Sequence, residues 1–148
     1  MSREYPKHPL VGVGIAIFRG SELLLIRRAK APRAGQWSLP GGLQELGETV
    51  FQCAQREAME ECAVEIEKLA VIDIVDAITP DDKGAARFHY TLIEVLAEWR
   101  AGEPKAGDDA MDVGWHDPTK VGNLGMWPET NRIIAKGWAM HSARRGGK

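Results

Sequence analysis

A glycine turn that runs straight into an acidic helix constrains this chain more than any other stretch. Residues 42–64 read GLQELGETVFQCAQREAMEECAV, and the helix they predict carries Glu57, Glu60 and Glu61 within five positions. At about 100° per residue, Phe51, Ala54, Gln55, Ala58 and Cys62 fall in one stripe, which predicts the core-facing side. Glu57 and Glu61 are a turn apart and Glu60 lies three positions after Glu57, so the three carboxylates share the opposite face. With Glu48 they crowd negative charge into one short segment, at a cost of about a few tenths of a kcal/mol per like-charge pair. Arg56, four positions before Glu60, offsets part of that repulsion, and a bound cation would offset the rest. An acidic helix in general is a solvated face. The Pro40-Gly41-Gly42 entry and the place of Glu48 turn the reading toward a hard, oxygen-liganded cation of the kind that handles phosphates.

The spacing is specific. Gly42, Glu48, Arg56, Glu57, Glu60 and Glu61 follow the order glycine, five residues, Glu, seven residues, Arg-Glu, two residues, Glu-Glu. The segment resembles the box of the Nudix family. Two positions depart from it. Ala58 is small where a larger apolar residue is usual, which thins the packing, and Ala63 replaces the glycine that ends the helix. If that site needs φ > 0, alanine costs on the order of 1 kcal/mol there.

The resemblance implies an α/β fold, a Nudix-type α/β/α sandwich with a mixed curved sheet between helices, as one domain over 1–148 with the box at 42–64. It implies hydrolysis of a nucleoside diphosphate linked to another moiety, with Mg²⁺ or Mn²⁺ as cofactor neutralising the pyrophosphate. Glu57, Glu60, Glu61 and the Gly42 carbonyl would form the metal shell. Glu57 is also the residue often assigned as the base that activates water, and the sequence does not separate the two roles. Arg56 would orient Glu48 or Glu57 through a bidentate pair.

Bulk properties narrow the class. The 148 residues suffice for one core. A net charge of −2 leaves no electrostatic footprint for a nucleic-acid polymer. No apolar run approaches the roughly 20 residues that span a bilayer, and residues 1–9 lack the apolar stretch of a secretory signal. Cys53 and Cys62 project to nearly opposite sides of the helix, so they are read as unpaired and inert. Reduced thiols point to the cytoplasm. A small nucleotide is the expected partner, with a homodimer possible.

Along the chain, residues 11–18 and 23–26 predict strands around a turn at 19–22. The Gly12/Gly14 pair is no dinucleotide fingerprint, since no third glycine opens a helix. Residues 31–36 predict a loop and 37–39 an extended piece. Strands follow at 65–75, 88–99 and 113–115, with polar loops at 79–85 and 101–112. An amphipathic helix at 128–141 has Pro128 in its first turn, and the tail from about 142 to 148 reads as frayed.

Outside the box, Arg27 and Arg28 end the second strand where MutT-type members place an arginine against substrate phosphate, though solvation also accounts for such a pair. Asp109, with Asp108 and Asp112 as competitors, falls where some members carry an acidic ligand or base in a mobile loop. Trp37 is a candidate for stacking on a base, with burial the commoner fate. Pro80 lies where ADP-ribose-cleaving members carry a proline, although turn chemistry alone explains a loop proline. These features favour ADP-ribose, split into AMP and ribose 5-phosphate. The alternative is a MutT-like pyrophosphatase for oxidised nucleoside triphosphates. Against it, Leu43 and Thr130 stand where such members carry lysine and asparagine. A non-catalytic nucleotide sensor of the same fold is the alternative from another class, and the full set of box carboxylates argues against it.

Overall fold

The computed structural model describes residues 2–29, 34–107 and 109–146. In chain order the elements are β1 (Leu10–Arg19), β2 (Glu22–Arg28), β3 (Trp37–Ser38), β4 (Gly41–Leu43), α1 (Val50–Cys62), β5 (Glu65–Pro80), β6 (Ala86–Ala101), β7 (Ala110–His116) and α2 (Pro128–Gly146). Part of the loop expected at 31–36 falls on residues 30–33, outside the described residues, as does Asp108.

β1 is the organising strand. It is apolar along its length, as a strand buried on both faces must be, and it runs parallel to β6 from Leu10↔Tyr90 to Phe18↔Glu98. Its other edge is divided. Phe18 and Arg19 pair with β2, whereas Gly12, Val13 and Gly14 pair with Leu43, Gly42 and Gly41 of β4. The main path of the sheet is β3-β2-β1-β6-β5, with β7 on β2. All pairings but β1–β6 are antiparallel, so the sheet is mixed.

Alternation along the strands sends side chains to two cores. Val13, Ile15 and Ile17 pack with Leu24, Ile26, Val95 and the α1 residues Cys53, Ala54, Ala58 and Cys62. Ala16 and Phe18 pack on the other face with Leu23, Leu25, Leu96 and Ile133 and Ile134 of α2. The result is the expected α/β/α sandwich, one helix to each face of a mixed sheet.

Three boundaries correct the sequence reading. On α1, Phe51 is 40% exposed and Gln55 is exposed, so neither belongs to the core stripe. The buried side is Cys53, Ala54, Ala58 and Cys62, together with Glu61. Those small side chains let α1 sit close on the sheet, and the bulkier ones are left at the rim. Of the tail expected to fray from about 142 to 148, the part to Gly146 is a continuation of α2, where Arg144 donates to Lys68 O at 2.7 Å and pairs with Glu98, and 147–148 lie outside the described residues. Two arginines in its last turn also suit the negative end of the helix dipole. β5 and β6 each run 16 residues and meet in a short turn, so the loop at 79–85 begins only after Pro80.

Candidate active site

α1 begins with a capping box that the sequence reading did not single out. Thr49 Oγ1 accepts from Gln52 N at 3.1 Å, and Gln52 Oε1 accepts from Thr49 N at 2.8 Å. This satisfies two of the amides left open at a helix start. At the other end Ala63 adopts φ 59°, ψ 33°, the left-handed conformation of a C-cap. The site therefore does take the glycine-type geometry, with alanine in it.

Two further carbonyls of the last turn are taken by the loop before β7. Lys105 N donates to Cys62 O and Gly107 N to Glu61 O, both at 2.9 Å. A Cβ on Gly107 would overlap Glu60 O, so only glycine allows this approach. The loop expected to be mobile is thus tied to the end of α1, and it delivers Asp109 to the box. Ala29 N donates to Asp109 O, and the Asp109 charge acts on Glu61.

Arg56 is the centre of the carboxylate cluster. Its Nε donates to Glu48 Oε2 at 2.7 Å and its Nη2 to Glu48 Oε1 at 3.0 Å, a bidentate pair. Nη1 reaches Glu57 Oε1 at 2.8 Å and Glu60 Oε2 at 3.1 Å, while Nη2 also donates to Leu43 O at 3.0 Å. The last bond ties the helix to β4. The pairing with Arg56 and the Glu45 amide holds the Glu48 carboxyl down at about 2. Glu57 moves the other way, raised by burial against the pull of Arg56.

Glu61 points under the glycine turn, where its Oε1 accepts from Gly41 N at 2.8 Å. Burial pushes it up to about 7, with Glu57 and Asp109 adding to the rise and Arg28 opposing it. Arg28 is therefore within electrostatic reach of Glu61, and its Nε is buried with no hydrogen-bond partner among the described residues. A buried cationic donor left open beside acidic groups is what an incoming phosphate oxygen would satisfy.

The donor set also fits a hard divalent cation. Glu57, Glu60, Glu61 and the Gly42 backbone offer only oxygen, and a Cβ on Gly42 would collide with the Glu57 carboxylate, so backbone and carboxylate meet face to face. Among the described residues, no three His, Cys, Asp or Glu side chains already converge on one point. Arg56 engages Glu57 and Glu60, and the Gly41 amide engages Glu61.

The other candidates are not brought together with these. Arg27 alternates to the opposite face from Arg28, and its Nε holds the loop that follows β2 through Gly35 O at 2.8 Å. Trp37 pairs with Arg27 in register and packs on the α2 side, edge-on to His116 with ring centroids 4.8 Å apart. Pro80 closes the distal β5–β6 hairpin opposite Ala86, eight residues from Glu94 and so about 25 Å along the strand. Asp112 pairs with Arg27 on β7, and its Oδ1 accepts from Val113 N. Both thiols are free and buried, and burial pushes each up to about 12, well into the inert range.

Sequence reasoning missed Glu94, a buried carboxyl on β6. The available signal was one acidic residue inside the apolar run TLIEVLA.

Comparison with known proteins agrees with this geometry. Residues 8–137 match the family described as NUDIX domain. The ADP-ribose pyrophosphatase of Methanocaldococcus jannaschii is 34% identical over 117 residues, which is 79% of this chain and 67% of that protein. The 8-oxo-dGDP phosphatase NUDT18 of Homo sapiens is 38% identical over 115 residues, 74% of this chain and 33% of that protein. Among solved structures, the MutT NUDIX hydrolase from Burkholderia pseudomallei superposes with a TM-score of 0.76 at 31% identity, covering 88% of this chain and 98% of that one. The chain belongs to the Nudix family, as a pyrophosphohydrolase.

Proposed function

We propose that the protein hydrolyses the pyrophosphate bond of ADP-ribose, giving AMP and ribose 5-phosphate. The observation that carries the hydrolytic site is the open Arg28 Nε beside Glu61, next to carboxylates arranged around Arg56. ADP-ribose as the substrate is supported by the archaeal relative, whose name carries that activity and which aligns over 79% of this chain. Pro80 takes no part in this reading, because the hairpin that holds it stands away from the box.

Each residue then has a role. Arg28 draws one phosphate oxygen into place. Glu57, half-buried and raised, accepts the proton from the attacking water. Arg56 fixes the Glu57 rotamer and keeps Glu48 ionised as its own anchor. Asp109 stands by as a second acidic group at the mouth of the site. A cation such as Mg²⁺ or Mn²⁺, held by Glu57, Glu60, Glu61 and the Gly42 carbonyl, would neutralise the diphosphate charge. A cytoplasmic location and one domain over 1–148 remain part of the proposal. No described helix is long and apolar enough to cross a membrane. Ile74 and Ile78, exposed on the edge strand β5, support a homodimer.

A second reading, hydrolysis of oxidised guanine nucleotides, is favoured by the similarity to the human 8-oxo-dGDP phosphatase. The deciding measurement is kcat/KM for ADP-ribose, dGTP, 8-oxo-dGTP and 8-oxo-dGDP on one preparation, with Mg²⁺ and with Mn²⁺. ADP-ribose is expected to lead. A guanine nucleotide ahead by more than about tenfold, a gap of ~1.4 kcal/mol in transition-state binding, moves the assignment to the second reading. Turnover that persists in excess EDTA removes the cation from either.

A further inference from the structure

Arg28 ends β2 and Glu61 lies in the last turn of α1, yet their charges act on each other. They share a face of the sheet. Leu24 and Ile26, four and two positions before Arg28, pack in the core beneath α1, so the pleat of β2 turns Arg28 to that side as well.

The stretch from Gly107 to Ala110 spans the gap between the two. At one end Gly107 N donates to Glu61 O at 2.9 Å. At the other, Ala29 N donates to Asp109 O at 3.2 Å, and Ala110 is the register partner of Arg28. Ala110 N also donates to Gly107 O at 3.2 Å, which closes the stretch into a turn. The pairing then steps from Arg28↔Ala110 to Arg27↔Asp112, leaving Met111 over as a bulge in β7. Bulges bend a strand and re-aim its neighbours beside a site. One short turn therefore holds the backbone of the phosphate arm and that of the carboxylate arm together.

Gly107 sets how close they come. Its φ is not left-handed, so the need for glycine there is one of space. A Cβ would overlap Glu60 O and lie 3.2 Å from Glu61 Cα. Those are the backbones of two of the proposed cation ligands. The rest of the loop is fitted to the same helix end. A Cβ on Gly102 would come within 2.6 Å of Ala63 O, and Trp99 Nε1 donates to Gly102 O at 2.7 Å.

We propose that Gly107 is a positioning residue: it sets the separation between the Arg28 guanidinium and the Glu61 carboxylate, so that one diphosphate engages Arg28 and a cation at the box together. The inference rests on the reading above, in which diphosphate and cation share this site. Gly107 has no side chain to touch either and acts through the two backbones that it holds. A guanidinium and a hard cation take different oxygens of one diphosphate only at a fixed spacing. Displacing one by about 1 Å costs on the order of 10²-fold in rate. Each should also raise affinity for the other's ligand, a coupling that disappears when the spacing is lost.

The test reads that coupling as well as the rate. α,β-Methylene-ADP, whose diphosphate resists cleavage, is titrated calorimetrically into wild type, Gly107→Ala and Gly122→Ala, in Mg²⁺ and in EDTA. Gly122→Ala is the control, since a Cβ there meets nothing among the described residues within 4 Å. Mg²⁺ is expected to tighten binding to wild type and to the control by at least about tenfold. In Gly107→Ala the affinity in EDTA should stay within about threefold of wild type, while the gain from Mg²⁺ falls to about twofold or less. kcat/KM for the best-cleaved nucleotide should fall at least about tenfold in the same variant. Ala29→Pro removes the amide that Asp109 O accepts, at the other end of the turn. It should lose the same coupling, and it carries the comparison if Gly107→Ala does not fold. An unchanged Mg²⁺ gain in the variants, or equal weakening with and without Mg²⁺, overturns the proposal and leaves the hydrolytic assignment standing. Failure of wild type to cleave any nucleotide overturns that assignment instead, and the binding ratios still decide Gly107.

Discussion

The two faces of the sheet treat their acidic side chains in opposite ways. On the α1 side, Glu48, Glu57 and Glu60 converge on one guanidinium, and each has a hydrogen bond from it. On the α2 side, Glu94 has an open oxygen and only the distant charge of Arg132. Pairing makes the first cluster an organised set of anions. Isolation makes the second a group poised between charged and neutral. The contrast teaches that burial alone does not fix what a carboxyl does, because its nearest donors decide which form the fold favours.

The sharpest way to break the comparison is to remove one charge from the organised side. Glu57→Gln and Glu61→Gln keep shape but cannot serve as base or anionic ligand, and each is expected to lower kcat/KM by at least about 10²-fold. Glu45→Gln should leave activity close to wild type, since Glu45 is 64% exposed at its side chain and touches Arg56 only at 3.3 Å. Equal losses at Glu45 and Glu57 would show the register of the cluster to be misassigned.

A pH series sharpens the other side. Glu94 keeps its proton in the folded state up to about 7, whereas an ordinary glutamate loses it near 4.5. The folded form therefore binds the extra proton between those values, and stability falls as pH rises through that window. The groups that face Glu94 across the sheet and helix, Asp73 and Arg132, are paired with each other and stay charged throughout it. Glu94→Gln lacks the titration. Its stability relative to wild type should rise by up to about 3 kcal/mol between pH 4.5 and 7.5, measured by urea unfolding. A difference that stays flat with pH would mean that Glu94 is ionised in the fold. The smallest effect concerns the end of α1: Ala63→Gly relieves the positive φ and should stabilise by about 1 kcal/mol, a rise in Tm of about 2–4 °C.

Which parts were legible in the sequence follows the same division. The Arg56 cluster lies within fourteen residues of chain, so helical spacing alone brings most of its members together. The layered α/β fold was legible through the same segment and the apolar strands around it. Glu94, by contrast, acquires its meaning from Gly14, eighty residues away and opposite it in a parallel pairing. No local pattern carries that register. The same holds for Gly107, whose lack of a side chain matters only because the end of α1 lies beneath it. Arg27 and Arg28 look equivalent in sequence, and the pleat of β2 sends them to different faces. Pro80 is a case where position in the chain pointed to the site and position in the sheet does not.

The parallel pairing of β1 with β6 also bears on how the enzyme assembles. β5 and β6 are joined by a short turn and can zip together from Pro80↔Ala86 with little loop to close. β1 must instead find β6 across some eighty intervening residues, and β4 finds its place only on β1. Contacts that close long loops form late and slowly. Gly14 and, through it, Gly41 are joined to β6 only by that step. The glycine turn that anchors Glu61 through the Gly41 amide is therefore fixed to the hairpin only once β1 docks on β6, late in folding.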